Sequence, residues 1–566
     1  MGDAPKLRTG GQQVVDALCR HGTDTIFCVP GESVLDVLNA LHSVQAAIRL
    51  VPCRHEGGAA FMAEAHGKLT GRPGVCMVAR GPGAANASIG VHTAFQDSTP
   101  MILLVGQVGR DLVDREAFQE IDYRRMFAPL AKWVAQIDDV TRVAEYMERA
   151  FSVALSGRQG PVVLALPEDM LTDSSFSAPR MEPVPVAPAN PHPAPEALAR
   201  LRSLLADAQR PLLWLGGSGW SDTGRAAIAA FASRHGVPVA CSFRRQDLFD
   251  NGDPHYVGET GIGPNPALAE AVARSDLLIV VGARLGEIAT SGYTLLRVPF
   301  PNQPLVHVLC SAEDLGRTYA PTLKIQATAD AFATTAAALP ADGLGRAARS
   351  AWRARLRTAY LSESEPAPSD VALDPAQIIR ALRKRLDADA ILTHGAGNYT
   401  AWAHRYYRFT RPRTLLAPTS GAMGYGVPAA IAAKIAHPGR QVVCLAGDGC
   451  FMMTSQELAT ARRLDLAIVY LVFDNGLYGT IRMHQEQQYP GRPIGTDLCN
   501  PDFVAYARAF GIAGERVTSH AGFGDVLERA LAAPAGYLID LVVDPETITP
   551  RKTLAALRRA ADEAVR

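Results

Sequence analysis

Two apolar runs in the C-terminal third constrain this chain more than any other feature. Val442-Val443-Cys444-Leu445-Ala446 stops at Gly447-Asp448-Gly449; a helical stretch from Ser455 to Arg463 follows; Leu466 to Phe473 then runs apolar and stops at Asp474-Asn475-Gly476. A continuous apolar strand, a helix and a second apolar strand make a βαβ unit of a parallel sheet. Right-handed crossover brings both strand ends to one edge. That edge would carry the Asp448 carboxylate and the Asn475 amide oxygen, hard ligands of the kind Mg²⁺ takes sparingly while water and phosphate oxygens complete its octahedron. The carbonyl of Leu477 is the candidate third protein ligand. Gly-Asp-Gly alone serves equally well as a tight turn; with both flanking runs it reads as a divalent-metal clamp for a diphosphate.

The same pattern recurs along the chain. At 566 residues the protein exceeds what one core holds, and a prior of roughly 100–200 residues per domain gives three or four domains. Proline marks the boundaries. Ser174 to Pro195 contains MEPVPVAPANPHPAP, a linker composition, and SESEPAPSDVALDP marks a second boundary from Ser362 to Pro375. Three blocks remain, at 1–175, 196–340 and 368–550. Each alternates short β-branched runs with helical periods. TIFCVPG, VCMVARGPG, MILLVGQ and PVVLALP read as buried strands of the first; LLWLGGSG, LLIVVGARLG and LVHVL of the second; ILTHGAG, VVCLAGDG and AIVYLVFDN of the third. The expected fold class is α/β, with three doubly wound parallel-sheet domains. Many of these strands end in glycine followed by a helix, where open α/β sheets bind ligands and anions face helix N-termini.

Acidic and basic residues balance at 56 each, so no nucleic-acid or membrane surface is advertised. The N-terminus MGDAPKLRTGGQQ lacks a signal-peptide pattern, and no apolar segment is long enough to span a membrane. A cytoplasmic protein is expected. Nine cysteines without a Cys-x-x-Cys pair read as reduced core residues.

The run GDGCFMMTSQELATARRLDLAIVYLVFDNGLYGTIR resembles the thiamine-diphosphate signature. All three blocks resemble that enzyme family, most closely acetohydroxyacid (acetolactate) synthase-like proteins. The resemblance implies pyrimidine-binding, central and diphosphate-binding domains, in that order. His55-Glu56-Gly57-Gly58-Ala59-Ala60 is similar to the family's catalytic glutamate at a helix start. A carboxylate there hydrogen-bonds the aminopyrimidine ring and promotes loss of the thiazolium proton, while the cofactor carries the electron-sink chemistry. Ser420-Gly421-Ala422-Met423-Gly424-Tyr425-Gly426 resembles the loop that bends the cofactor. By that resemblance Met423 wedges between the rings, a task suited to a flexible, polarizable side chain, and the Gly421 carbonyl accepts from the exocyclic amine. Asn398 and Tyr399 stand where family members touch the diphosphate. Gly447, Gly449, Cys450, Gly476 and Tyr478 complete that set, with backbone donors at Gly449 and Cys450.

In the first block, Pro30-Gly31-Glu32 and Arg80 to Asn86 are similar to loops near the pyrimidine. Phe118 and Gln119 are expected over the thiazolium, Phe118 with Thr480 lining the substrate pocket. The His-His pair of pyruvate decarboxylase-type enzymes is absent. Several departures bear on the substrate. Where the synthases grip the keto-acid carboxylate with Arg in Phe-Asp-Asp-Arg, this chain has Leu285-Gly286-Glu287-Ile288; where they place a Lys it has Glu168; where they place an acceptor-selecting Trp it has His484, capable of proton transfer. Arg482 could replace the lost grip or lie on an outer helix face. Val306-His307-Val308-Leu309-Cys310-Ser311 stands where flavin-binding relatives carry alternating Asp residues, and Ser242 to Asp247 is unlike their flavin loop, so FAD is not expected.

The resemblance implies a carboligase that decarboxylates a 2-keto acid and joins the product to a second carbonyl, with thiamine diphosphate and Mg²⁺ as cofactors. Glu56, Gln119 and His484 are the expected catalytic residues, and the substrates are a 2-keto acid and a keto-acid or aldehyde acceptor. The alternatives are a non-ligating decarboxylase or acyloin lyase, and a cofactor-binding protein without turnover. A homodimer or homotetramer is implied, with Glu56 and Asp448 of one active site supplied by different chains.

Overall fold

A computed structural model describes residues 6–177, 186–341 and 345–565. They form three six-stranded sheets and a two-stranded one, and pack as two compact units. The first holds the chain up to Ala189 with Pro418–Pro438 and Met452–Leu466; the second holds Asn190–Ala417, Gly439–Phe451 and Ala467–Arg566.

The sheet of the first unit runs, edge to edge, Arg49–Pro52, Thr25–Val29, Gly74–Val78, Met101–Gln107, Pro161–Pro167, Trp133–Gln136. Every pairing is parallel. Its interior strands Gly74–Val78, Met101–Gln107 and Pro161–Pro167 are buried along their whole length because helices cover both faces. Helix Glu56–Thr70 starts just after the edge strand Arg49–Pro52 and is buried over most of its length. It packs against Pro82–Asp97 and Gly426–Ala436, with Phe61 edge-on to Tyr425 at 5.4 Å.

The second unit contains two parallel sheets. The central one is ordered Tyr256–Glu259, Val239–Cys241, Pro211–Leu215, Leu277–Val281, Leu305–Leu309, Leu323–Gln326. Its strand order reverses between Pro211–Leu215 and Leu277–Val281, the switch point of a doubly wound fold. The other is ordered Leu415–Leu416, Ile391–His394, Val442–Gly447, Val469–Asp474, Tyr537–Val542, Ala513–Val517, the same winding as in the first unit. Asn251 and Asp247 tie the central sheet's loops to it, accepting from the backbone of Phe409 at 3.0 Å and Thr414 at 3.1 Å.

The expected strands are all present, and so is the parallel crossover. Three local features differ from the sequence reading. The second strand of the βαβ unit starts at Val469, because Leu466 still closes the helix by donating to the Ala461 carbonyl. The helix between them begins as a single 3₁₀ turn at Ser455–Glu457 before Leu458–Arg463. The start of the proline-rich segment is a strand, Ser174–Ser177, antiparallel to Lys6–Thr9; residues 178–185 of that segment lie outside the described residues. Helix Arg346–Glu363, past the second block, buries Trp352 and Leu356 among Leu212, Trp214 and Leu278 of the central sheet. No helix among the described residues is long and apolar enough to cross a membrane.

Candidate active site

In the first unit the expected residues gather where strands end. Pro30 and Gly31 follow Thr25–Val29, Arg80 and Gly81 follow Gly74–Val78, and the Phe118–Gln119 loop comes after Met101–Gln107. Glu56 is the first residue of its helix; the neighbouring His55 caps it, its Nδ1 accepting from Gly57 N–H at 3.0 Å. Asn86 donates to Glu56 Oε2 at 2.9 Å, so these two expected residues meet directly. Oε1 has space beside it, since the nearest Gly83 position for a Cβ lies 3.5 Å away and glycine leaves it empty. Gln119 takes a φ of 66° and packs so closely on Gly81 that a Cβ there would come within 2.7 Å of the Gln119 Cβ. Phe118 is 73% exposed. Glu168, the departure from Lys, pairs with Arg80 at 2.6 Å, and Glu32 lies 3.4 Å from the same guanidinium.

The loop carrying Gly421 and Met423 is in this same unit and is anchored at its start. Asp97 accepts from Thr419 N–H at 2.8 Å and also from its hydroxyl. Ser420 Oγ and Thr93 Oγ1 are 3.1 Å apart. Thr454 Oγ1 donates to the Gly424 carbonyl at 2.6 Å. Gly421 takes a φ of 73° in open space, and Met423 is half-buried beside it.

In the second unit, register does the positioning. Gly447 pairs with Phe473 on the adjacent strand, which sets Asp448 next to Asp474 and just short of Asn475. Asp448 is buried, and its carboxylate is held from two sides. Oδ1 accepts from Gly449 N–H at 2.8 Å; Oδ2 accepts from Gly476 N–H at 2.8 Å and from Asn500 Nδ2 at 2.8 Å. Burial pushes its carboxyl pKa up and Asn500 pulls it back. Asn475 Oδ1 accepts from Leu477 N–H at 3.2 Å. The glycines flanking Asp448 are required by aromatic rings: a Cβ at Gly447 would lie 2.9 Å from Tyr399, and one at Gly449 2.6 Å from Tyr478. Tyr399 accepts from Gly395 N–H at 3.0 Å and donates to Cys450 Sγ at 3.3 Å. Asn398 Oδ1 accepts from Thr480 Oγ1 at 2.9 Å, and Asn398 N–H donates back to that hydroxyl at 3.0 Å.

Thr480 and His484 lie on helix Gly479–Gln488, with His484 exposed. Arg482 on the same helix is engaged with Thr496 at 2.7 Å and Asp497 at 2.6 Å. In the central sheet His307 is buried, with Nε2 2.8 Å from the Ala283 carbonyl, and burial lowers its pKa.

Three family models match in series. They are the N-terminal TPP binding domain of thiamine pyrophosphate enzymes at residues 8–126, the central domain at 198–336 and the C-terminal TPP binding domain at 395–541. The chain belongs to the thiamine pyrophosphate enzyme family.

Curated relatives of this thiamine pyrophosphate enzyme include three proteins named for acetolactate synthase. The acetolactate synthase large subunit of Parasynechococcus marenigrum is 32% identical over 96% of this chain and 88% of its own length. The isozyme 2 large subunit of Escherichia coli is 32% identical over 94% and 95%. The probable large subunit of Methanocaldococcus jannaschii is 30% identical over 96% and 93%. Each of the three six-stranded sheets corresponds to one matched domain, although Trp133–Gln136 and Pro161–Pro167 of the first and Ile391–His394 of the third lie outside the matched residues.

The donor set at Asp448 fits a diphosphate-bound hard cation. The oriented carboxylate, with the Asn475 amide oxygen and Leu477 carbonyl expected from the sequence, would make an all-oxygen partial shell that leaves positions for phosphate and water. Among the described residues no group of three or more His, Cys, Asp or Glu side chains is placed to hold a metal.

Sequence reasoning missed two residues of this thiamine pyrophosphate enzyme. Asn500 also donates to Asp474 at 2.8 Å, bridging the ends of two strands from a loop with no periodic signal. Glu457 lies inside the recognised signature but was read only as part of a helix; its carboxylate reaches the backbone ahead of Glu56.

Proposed function

We propose that this enzyme decarboxylates a 2-keto acid with thiamine diphosphate and Mg²⁺ and ligates the remaining acyl carbon to a second carbonyl, as in the acetolactate synthases it resembles. The observation that carries the reading is the oriented Asp448 carboxylate inside the matched C-terminal TPP binding domain. When bound, the cofactor supplies the carbon nucleophile and electron sink that loss of CO₂ from a 2-keto acid requires.

The chain's own residues divide the remaining work. Asp448, Asn475 and the Leu477 carbonyl hold Mg²⁺, and Asn398, Tyr399, Gly447, Gly449, Cys450, Gly476 and Tyr478 shape the diphosphate cradle around it. Pro30, Gly31 and Asn86 would hold the cofactor's pyrimidine end, with Gly421 and Met423 supporting it. Glu56 exchanges a proton with the pyrimidine through Oε1, the oxygen that Asn86 leaves unengaged. Asn86 holds the other oxygen and so fixes the carboxylate plane. Phe118 and Thr480 bound the substrate, while Gln119 and His484 orient its oxygens and move protons during ligation. Flavin has no part in the proposal, since Val306 to Ser311 offers no carboxylate in the string where flavin-binding relatives carry alternating Asp residues. Domains at 1–175, 196–340 and 368–550, a homodimer or homotetramer and a cytoplasmic location complete the reading.

The test is product analysis after feeding pyruvate, with and without an aldehyde acceptor. A hydroxyketone or 2-hydroxy-2-keto acid is the expected product, and added FAD leaves its rate unchanged. Free aldehyde as the sole product in both arms would overturn the ligase reading. Glu56→Gln should lower turnover by on the order of 100-fold or more; unchanged turnover removes Glu56 from the role.

A further inference from the structure

Glu457 carries a fully buried carboxylate with no catalytic task in the reading above. It sits against the N-terminal end of helix Glu56–Thr70. Its Oε1 accepts from Arg54 N–H at 3.0 Å and His55 N–H at 2.9 Å; Oε2 accepts from Arg54 N–H at 3.2 Å and from the Thr460 hydroxyl at 2.6 Å. Two consecutive backbone donors, immediately ahead of Glu56, thus end on one side chain some 400 positions away in sequence. Burial raises the Glu457 pKa, and those donors work in the opposite direction.

The arrangement also explains a glycine of the His55-Glu56-Gly57-Gly58 string. A Cβ at Gly58 would lie 2.6 Å from Glu457 Oε1 and 2.9 Å from its Cδ and Cγ. Glycine at 58 is therefore the opening through which the carboxylate reaches the chain. Gly57 N–H is bound to the His55 ring and Ala59 N–H to the His55 carbonyl. His55 is the hinge of the helix start, with its ring, carbonyl and N–H all engaged. Of these three attachments, only the N–H is fixed from outside the helix, by Glu457.

We propose that Glu457 is a positioning residue for Glu56: its carboxylate, admitted by Gly58, pins Arg54 and His55 and so sets where the Glu56 carboxylate stands. The inference rests on the reading of Glu56 as the proton-exchanging group. Glu457 touches neither cofactor nor substrate in this role. Misplacement of a reacting group by about 1 Å can cost on the order of 100-fold in rate, so losing the pin acts on the proton-exchange step more than on affinity.

Three measurements test it. The first is backbone amide exchange, followed by mass spectrometry on the apoprotein, of the peptide spanning Arg54 to Ala59. Glu457→Ala should lose protection there. The second is the rate at which the C2 proton of bound thiamine diphosphate exchanges with solvent deuterium; Glu457→Ala should slow it by roughly 10- to 100-fold while the cofactor Kd changes less than about 3-fold. Glu457→Gln keeps an acceptor oxygen for the backbone and should recover most of the exchange rate. The third is Gly58→Ala, which displaces the carboxylate without opening a cavity and should reproduce both effects if Glu457→Ala folds poorly. Glu56→Gln, run in parallel, separates the two readings. If it abolishes C2 exchange while Glu457→Ala and Gly58→Ala exchange at the wild-type rate, the positioning proposal is wrong and the Glu56 reading stands. If Glu56→Gln itself leaves C2 exchange unchanged, both fall.

Discussion

Asn500 Nδ2 donates to Asp448 Oδ2 and to Asp474 Oδ1, each at 2.8 Å, so one amide group holds two carboxylates at the ends of adjacent strands. Without that donor the neighbouring carboxylates repel and Asp448 loses one of its three orienting contacts. Asn500→Ala is expected to weaken metal binding by roughly 10- to 100-fold, the usual cost of removing a partner that orients a ligand. Titration of the diphosphate-loaded protein with Mn²⁺, read by electron paramagnetic resonance, checks this. Asn500→Asp places a third carboxylate in the cluster and should cost at least as much. Wild-type Mn²⁺ affinity in Asn500→Ala would show that the backbone donors suffice.

Asp448 itself gives a prediction with opposite signs in two states. Burial disfavours its charge in the apoprotein, so Asp448→Asn should leave the apoprotein's Tm unchanged or slightly raised. The same substitution removes the anionic ligand proposed for the metal. A wild-type protein with Mg²⁺ and thiamine diphosphate at 100 times Kd gains about 2.7 kcal/mol by mass action, and Asp448→Asn should gain almost none. Thermal unfolding with and without the cofactors measures both effects. Full cofactor stabilisation in the variant would remove Asp448 from the metal site.

The sequence made most of the strands covered on both faces legible. Met101–Gln107, Pro161–Pro167 and Val442–Gly447 are buried throughout, and burial on both faces demands an unbroken apolar run. Edge strands escape that demand. Arg49–Pro52, Leu323–Gln326 and Ala513–Val517 are partly exposed, and Leu415–Leu416 is only two residues long. Two interior strands also passed unread: Val239–Cys241, only three residues long, and Tyr537–Val542, interrupted by Asp540, whose carboxylate is buried and bonded to Arg516 at 2.7 Å. At the site, Asp448 and Asn475 stood out because apolar runs and glycines flank them locally, and Glu56 through the likeness of its string to the family's. Glu457 and Asn500 act on residues distant in sequence, and a hydrogen bond closed by tertiary folding leaves no periodic trace.

His484 is exposed on helix Gly479–Gln488, one turn from Thr480, which is itself locked to Asn398. Arg482 is occupied by Thr496 and Asp497, which leaves His484 as the helix's uncommitted polar group near Thr480. His484→Ala is expected to shift the ratio of products formed from competing acceptors by about 10-fold, in keeping with specificity set by a few contacts. The cofactor Kd should change less than about 2-fold, since the cradle residues are untouched. Competition between a keto acid and an aldehyde, resolved by mass spectrometry, supplies the ratio. A ratio identical to wild type would place His484 outside the acceptor site.

Helix Gly479–Gln488 is held from behind by the C-terminal helix Leu554–Val565. Arg558 binds both oxygens of Glu486, at 2.8 and 2.6 Å, and Gly491 N–H adds a third donor at 3.0 Å. The Arg558 hydrogen bond is the main reason that the Glu486 carboxyl is drawn down to about 2 from an ordinary 4.5. A carboxyl whose pKa is lowered on folding contributes stability that is present above its unfolded pKa and lost as pH falls through its folded pKa. The window therefore runs from about pH 4.5 down to about pH 2. Arg558 is 43% exposed, so solvent screening reduces the contribution to on the order of 1–2 kcal/mol. Glu486→Gln should therefore unfold at a lower temperature than wild type at neutral pH, and the gap should close as the pH approaches 2. Differential scanning calorimetry of both proteins across that range reads the gap directly. A constant difference in Tm would mean that Glu486 contributes packing and no charge pairing. Because the same helix carries Thr480 and His484, loosening this clasp should also raise KM for the acceptor before kcat falls.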